Sequence, residues 1–273
     1  GYSMFYFMGI RANNAADTGF DHTFTAGDGA TIIGNELSTY NSNNYPLVYY
    51  GYNGILVGDN VNWTQDGFQM LLDLDRYTGS NRSGRTVTFG QNLKMTATRT
   101  VGNNSLYATN NSTVTFNAGT ILDLQQWNNN TVVRTDSGSK IIFISPKALH
   151  LARLTSSGAV TNGAIFTGAG TFTMNNSQIS TWQGSDSQAA TPNGNRNNKF
   201  AEMTISGSTT TIKDTAGNIT TSNIVDSSTR ELATVAIDPG TVKVNYVDQY
   251  GNVIKTIDVP IDKDANYIGQ YIN

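Results

Sequence analysis

One short pattern decides what this chain can fold into: an apolar-x-apolar stretch, a Gly/Asn turn, then apolar-x-apolar again, returning along most of the sequence. It reads TIIGNELST at Thr31–Thr39, LVGDNVNWT at Leu56–Thr64, VTFGQNLKMT at Val87–Thr96 and VTFNAGTILDL at Val114–Leu124, with further copies at Ile141–Leu151, Thr171–Thr181 and Met203–Asp214. Matching residues recur roughly every thirty positions, the length of one coil of a parallel β-helix. A coil of two or three strands cannot bury its own apolar side chains, but coils stacked at about 4.8 Å line equivalent residues into interior ladders. Val57, Phe89, Phe116 and Phe143 are expected to form one ladder. Leu37, Val61, Leu93, Leu122, Leu149 and Ile179 should form a second, with Met95, Leu124 and Leu151 two residues further on, since side chains on a strand repeat every two residues. The expected fold is all-β, a right-handed parallel β-helix or β-solenoid spanning about 1–234, with Tyr2–Phe24 capping its first rung. Residues 235–273, after the polar run Asp226-Ser227-Ser228-Thr229, form a small C-terminal β appendage.

The residue bias agrees. Only 14% of the chain is charged while 38% is hydrophobic, with 13 Tyr, 11 Phe and 3 Trp, which supplies a core without supplying helix formers. The corner pairs Gly34-Asn35, Asp59-Asn60, Gln91-Asn92 and Asn175-Asn176, with Asn117, are residues that tolerate left-handed backbone, and stacked Asn side chains can bond one another. A jelly roll or immunoglobulin-like sandwich is the competing fold, but it lacks similarity from rung to rung.

A net charge of −3 disfavours a nucleic-acid binder, which needs a basic stripe. No apolar run approaches the length that spans a bilayer, so no membrane insertion is expected. The chain has no Cys, which suits an exported Gram-positive surface protein as well as a cytosolic one. It starts at Gly1 and stops within a motif, and is expected to be an excised or mature fragment.

Residues between inward positions must point outward, and stacking aligns them. One expected column is Ser38, Asn62, Lys94, Asp123, His150, Ser180 and Lys213; its neighbour is Tyr40, Thr64, Thr96, Gln125, Ala152 and Trp182. A face mixing cations, aromatic rings, hydroxyls and amides suits sugar: pyranose rings stack on aromatics, hydroxyls pair with polar side chains, and a uronate or sialate carboxylate takes a cation. The candidate ligand-binding residues are therefore Tyr40, Lys94, Asp123, His150 and Trp182, together with Trp127 as a loop residue available for stacking and Arg99 and Arg153 beside rung ends as carboxylate clamps. Arg196 is a weaker clamp, and Trp63 falls in register with inward positions. His150, one of two His, is expected to titrate near pH 6 to 7 and strengthen binding to an acidic glycan as pH falls.

Chemistry is less well supported. A lyase needs a Ca²⁺-holding carboxylate cluster and a basic residue at the sugar; Asp73, Asp75 and Arg76 come closest, but two carboxylates are not a cage. No paired carboxylates of a hydrolase, HExxH, P-loop or GxSxG is present. The chain is expected to be a binding module with no cofactor and no catalytic metal.

The stretch Gly29–Asn223, with its TFNAGTILDL-type rungs, KALHLARL at Lys147–Leu154 and GTFTMNNSQISTWQGS running on to NRNNKFAEMTISG, resembles the pectate-lyase-like adhesive domains of Gram-positive surface proteins, especially the binding regions of the serine-rich repeat adhesins of lactobacilli. TVKVNYVDQYGNVI at Thr241–Ile254 resembles the opening of a mucin-binding-protein repeat. The resemblance implies an extracellular, cell-wall-anchored adhesin that binds host mucin or epithelial glycans or an acidic, pectin-like polysaccharide, in some members with pH dependence. Self-association in biofilms and a polysaccharide lyase or hydrolase are the alternatives it leaves.

Overall fold

The computed structural model describes residues 22–35, 52–66, 72–73, 84, 86–100, 104–127, 131–161, 163–183, 197–222, 224–237 and 241–260. Among them there is no helix. The chain coils through β1 (His22–Ala26) and β2 (Thr31–Asn35), then through β3 (Tyr52–Val57), β4 (Asn62–Asp66) and β5 (Leu72–Asp73). Three further coils follow: β6 (Thr86–Phe89), β7 (Lys94–Thr100) and β8 (Asn104–Ala108); β9 (Thr113–Phe116), β10 (Ile121–Gln126) and β11 (Thr131–Thr135); β12 (Lys140–Phe143), β13 (Ala148–Arg153) and β14 (Phe166–Thr167). Each strand pairs in parallel with its equivalent one coil away, giving the ladders β1-β3-β6-β9-β12, β2-β4-β7-β10-β13 and β5-β8-β11-β14. This is a parallel β-solenoid.

Its interior is the expected aromatic ladder. Val57, Phe89, Phe116 and Phe143 are register partners in turn. Phe116 stacks on Phe89 at 4.4 Å with 6° between ring planes, and on Phe143 at 4.3 Å and 4°. Parallel pairing forces equivalent side chains on top of one another, so identical planar residues stack face to face along the axis. Trp63 is core as expected, 1% exposed and edge-on to Phe89.

The second ladder differs from expectation by one step of two residues. Trp63, Met95, Leu122 and Leu149 are the register partners, so Leu122 follows Met95 and not Leu93. The inward site below Leu93 is taken by Thr120, fully buried, whose hydroxyl donates to the Asn117 carbonyl at 2.8 Å. A polar residue satisfied at an inward corner hides the register from an apolar pattern.

Corners between the first two strands of each coil use left-handed residues: Gly29 (φ 69°), Asn60 (58°), Asn92 (55°), Gly119 (80°) and Ser145 (42°). Asn92 Nδ2 donates to Asn60 Oδ1 at 3.1 Å, and the Asp59 and Gln91 amides donate to the carboxylates of Asp28 and Asp59, one coil back. The expected Gly34-Asn35 corner is instead part of β2; the first corner is Gly27-Asp28-Gly29. Gly90 has no room for a Cβ, which would strike the Gly58 backbone of the coil below. Asn92→Ala is expected to lower stability by about 1.5 kcal/mol, from the left-handed strain on a Cβ residue plus the lost bond, and Asn92→Gly by less; urea denaturation midpoints check this.

The far end is closed by antiparallel strands. β15 (Thr171–Gln183) pairs in parallel with β12 through Met174, passes a left-handed corner at Asn176 (φ 51°) and continues along the strand Thr229–Ala236. β16 (Asn197–Ser206), β17 (Thr209–Lys213) and β18 (Ile219–Ser222) extend from it as an antiparallel meander, so Met203–Asp214, expected to be a rung, is a hairpin. β19 (Thr229–Ala236) lies antiparallel between β13 and β15 and joins two ladders into one sheet. The chain divides into two compact units, Gly1–Ala236 and Ile237–Asn273. Among the described residues the second contains one hairpin, β20 (Thr241–Val247) and β21 (Val253–Pro260). Its turn, Asp248 to Asn252, repeats that at Asp214 to Asn218: each Asp accepts two backbone N–H groups and the Asn side-chain amide. Residues 2–21, most of the expected cap, lie outside the described residues.

Candidate functional site

Three outward faces result, one per ladder. On the β4-β7-β10-β13-β19 face the corrected register gives two rows: Asn62, Lys94, Ile121 and Ala148, then Thr64, Thr96, Asp123 and His150. Lys94 and Asp123 therefore belong to different rows, contrary to expectation, because Thr120 takes the inward corner position that an apolar residue was expected to fill. Ser180 is reached from His150 through Ala233 of β19, and Trp182 lies opposite Glu231. Lys213 sits on β17, in the meander, and shares no column with these residues. Tyr40 and Ser38 lie outside the described residues, as do Leu37, Asp75, Arg76 and Arg196.

At the end of this face His150 is held between two carboxylates. Its Nδ1 is 2.9 Å from Asp123 Oδ1 and its Nε2 2.8 Å from Glu231 Oε1, so both ring N–H groups of the imidazolium are used as donors. Glu231 is the closed end of the cluster, its side chain 4% exposed, against 32% for His150 and 39% for Asp123. The hydrogen bonds to Asp123 and then Glu231, opposed by burial, push the His150 pKa up to about 9. The expected titration near pH 6 to 7 is not what this geometry produces: the ring stays charged through neutral and acid pH. With both carboxylates ionised the cluster carries one net negative charge, which repels an acidic sugar.

The imidazole fills the space between the carboxyls where a water and a scissile glycosidic oxygen would have to sit, so the pair lacks a hydrolase arrangement. Among the described residues no group of three or more His, Cys, Asp or Glu is placed to hold a metal ion. Asp73 is in β5. No helix among them is long and apolar enough to cross a membrane.

The expected carboxylate clamps and stacking ring are engaged within the fold. Arg99, in left-handed backbone at φ 50°, pairs with Asp66 through two nitrogens, Nε at 2.6 Å from Oδ1. That guanidinium holds the Asp66 carboxyl below its usual range. Arg153 is half-buried against Gly163, and burial pulls its pKa down. Trp127 is half-buried with its six-membered ring against Gly158, so the loop closes over the ring.

The third ladder holds a group the repeat pattern did not reveal. Tyr107 and Arg134 are register partners on β8 and β11, next to Asp73 on one side and Thr167 on the other. Arg134 lies 4.8 Å over the Tyr107 ring, and its Nε donates to Asp136 at 3.0 Å. The Tyr107 hydroxyl donates to the same carboxylate at 2.6 Å and Thr109 at 3.0 Å. Burial raises the Asp136 pKa, but the bonds from Tyr107, Arg134 and Thr109 outweigh it and hold the carboxyl low. An alternation reading of SLYAT and TVVRT as a third strand per coil would have paired them.

No protein-family model, no curated protein and no solved structure matches this chain.

Proposed function

We propose that this chain is the glycan-binding rod of a bacterial cell-surface adhesin, a binding module and not an enzyme, that recognises extended carbohydrate on host mucin or epithelium or an acidic polysaccharide. The observation that carries the reading is the in-register parallel pairing, which sets outward hydroxyl, amide, aromatic and cationic side chains in rows along the coil axis. A row with a short constant repeat matches a polymer with a short constant repeat, since each successive sugar meets the next coil. Corner side chains bonded coil to coil keep the rows stiff, so little ordering entropy opposes binding. Single contacts of this kind are weak, and strength comes from many sugars on one rod and many rods on one cell.

A glycan array carrying mucin O-glycans, polygalacturonate and neutral polysaccharides tests this. Binding to an extended glycan, with avidity rising on multimeric display and the polysaccharide recovered intact, is expected. A chain that binds no glycan contradicts the reading. Unsaturated sugar products accumulating in the same incubation would show a lyase instead.

A further inference from the structure

The outward side of the ladder β3-β6-β9-β12, continued by Thr171 to Met174 of β15, carries none of the candidate binding residues, yet its positions are highly regular. Thr86, Thr113, Lys140 and Thr171 are successive register partners, and two residues on so are Thr88, Thr115, Ile142 and Thr173. Three coils thus present Thr-x-Thr, about 7 Å apart along the strand and about 4.8 Å from coil to coil. The intervening Val87, Val114 and Phe172 are buried in the core, which anchors each strand. A β-branched threonine on a strand has few rotamers, so these hydroxyls are held in place before any ligand arrives. Each hydroxyl can donate and accept, and each methyl gives an apolar contact beside it.

Lys140 stands inside this array. It is exposed, its register neighbours are Thr113 on one side and Thr171 on the other, and it has no ion-pair partner among the described residues. In a chain of net charge −3, His150 and Arg134 on the other two faces are answered by carboxylates, His150 by Asp123 and Glu231 and Arg134 by Asp136, while the exposed Lys94 of the His150 face has Asn62 and Ile121 as register neighbours and not threonines. Large apolar side chains also lie uncovered on this face, Leu56 at 46% exposure and Ile144 at 39%. The charge complementarity therefore selects an anionic partner, and the flanking hydroxyl rows select one rich in hydroxyls.

We propose that this threonine face holds an extended uronate-bearing polysaccharide along the coil axis, one carboxylate on Lys140 Nζ and its ring hydroxyls on Thr86, Thr113 and Thr171. The proposal rests on the glycan-binding reading and moves the site away from the His150 face.

Polygalacturonate binding by biolayer interferometry tests it, using the full chain, Lys140→Gln and the pair Thr113→Val with Thr171→Val. Lys140→Gln should weaken binding about tenfold, the loss of one charge-assisted contact, and remove most of its salt dependence. The valine pair keeps the β-branched shape and should weaken binding with the salt dependence kept. Unchanged melting temperatures show that both variants are folded. If the parent chain binds polygalacturonate and both variants bind it equally well, this face is wrong while the glycan reading stands. If the parent chain binds no glycan of any kind, the glycan reading itself fails. If Lys140→Gln changes the sedimentation of the protein alone, the face is covered by a second copy and the proposal is overturned.

Discussion

Phe116→Ala is expected to destabilise the solenoid by about 4 kcal/mol, in the middle of the range that a buried aromatic truncation costs. Phe116 is fully buried, and both faces of its ring are stacked, on Phe89 and on Phe143 at 4.4 and 4.3 Å. Removing it leaves a cavity, because the coils above and below are fixed by backbone bonds at the corners and cannot collapse into it. Stability in a solenoid is close to a sum of coil and neighbour-interface contributions, so a lesion in the middle also uncouples the two ends. Circular dichroism during urea denaturation should show an earlier and broader transition than for Phe143→Leu, which keeps most of the volume. A loss below about 1 kcal/mol would mean that the ring is not sandwiched.

The second large effect is a pH dependence centred on His150. Its folded-state pKa lies above its ordinary value, about 9 against 6.5. The stabilisation it gives is therefore fully present below the ordinary value and is lost as pH rises through the folded one. A shift of that size corresponds to about 3 kcal/mol, and partial solvent exposure of the ring reduces it to about 2 kcal/mol. The bonds concerned tie β19 to β13 and β10, so the loss should appear first as exchange of β19 amides. Stability measured from neutral pH to about pH 10 should fall in the parent chain and stay nearly flat in His150→Gln, which cannot ionise. Parallel falls in the two proteins would remove the imidazolium from the account. On the acid side the depressed carboxyls of Asp66 and Asp136 act in the opposite sense: their contribution is present above the ordinary carboxylate range and is lost as pH falls through their lowered values.

What the sequence revealed and what it hid follow from local and non-local structure. The Phe89, Phe116, Phe143 ladder was legible because TVTF, TVTF and KIIF repeat the same alternation before similar turns. The left-handed corners at Asn60, Asn92 and Asn176 were legible because few other side chains suit that backbone. The register at Leu122 was hidden by one satisfied threonine, and the Tyr107-Arg134 pair by a motif that covers only two of the three strands in a coil. The antiparallel closure was hidden because β15 and β16 have the same alternation as a coil; only the pairing direction differs. His150 was placed on the right strand face, and Asp123 beside it, but Glu231 is 81 residues away on an antiparallel strand that no coil repeat predicts. The hydrogen bond to Asp123, the larger cause, and the one to Glu231 together turn an expected neutral-range switch into a fixed charge.

Spin labels offer the most direct test of the coil stack, since a chain without Cys accepts them at chosen places only. Thr25 and Thr173 lie in one outward row, five register steps apart through Leu56, Thr88, Thr115 and Ile142. Labels on Cys introduced at these two positions should stand about 24 Å apart, and moving the second label back to position 115 should shorten the separation by about 10 Å, two coils' worth. Distances that do not fall with the number of coils between the labels, as in two facing antiparallel sheets, would contradict the solenoid and remove every outward row that depends on it.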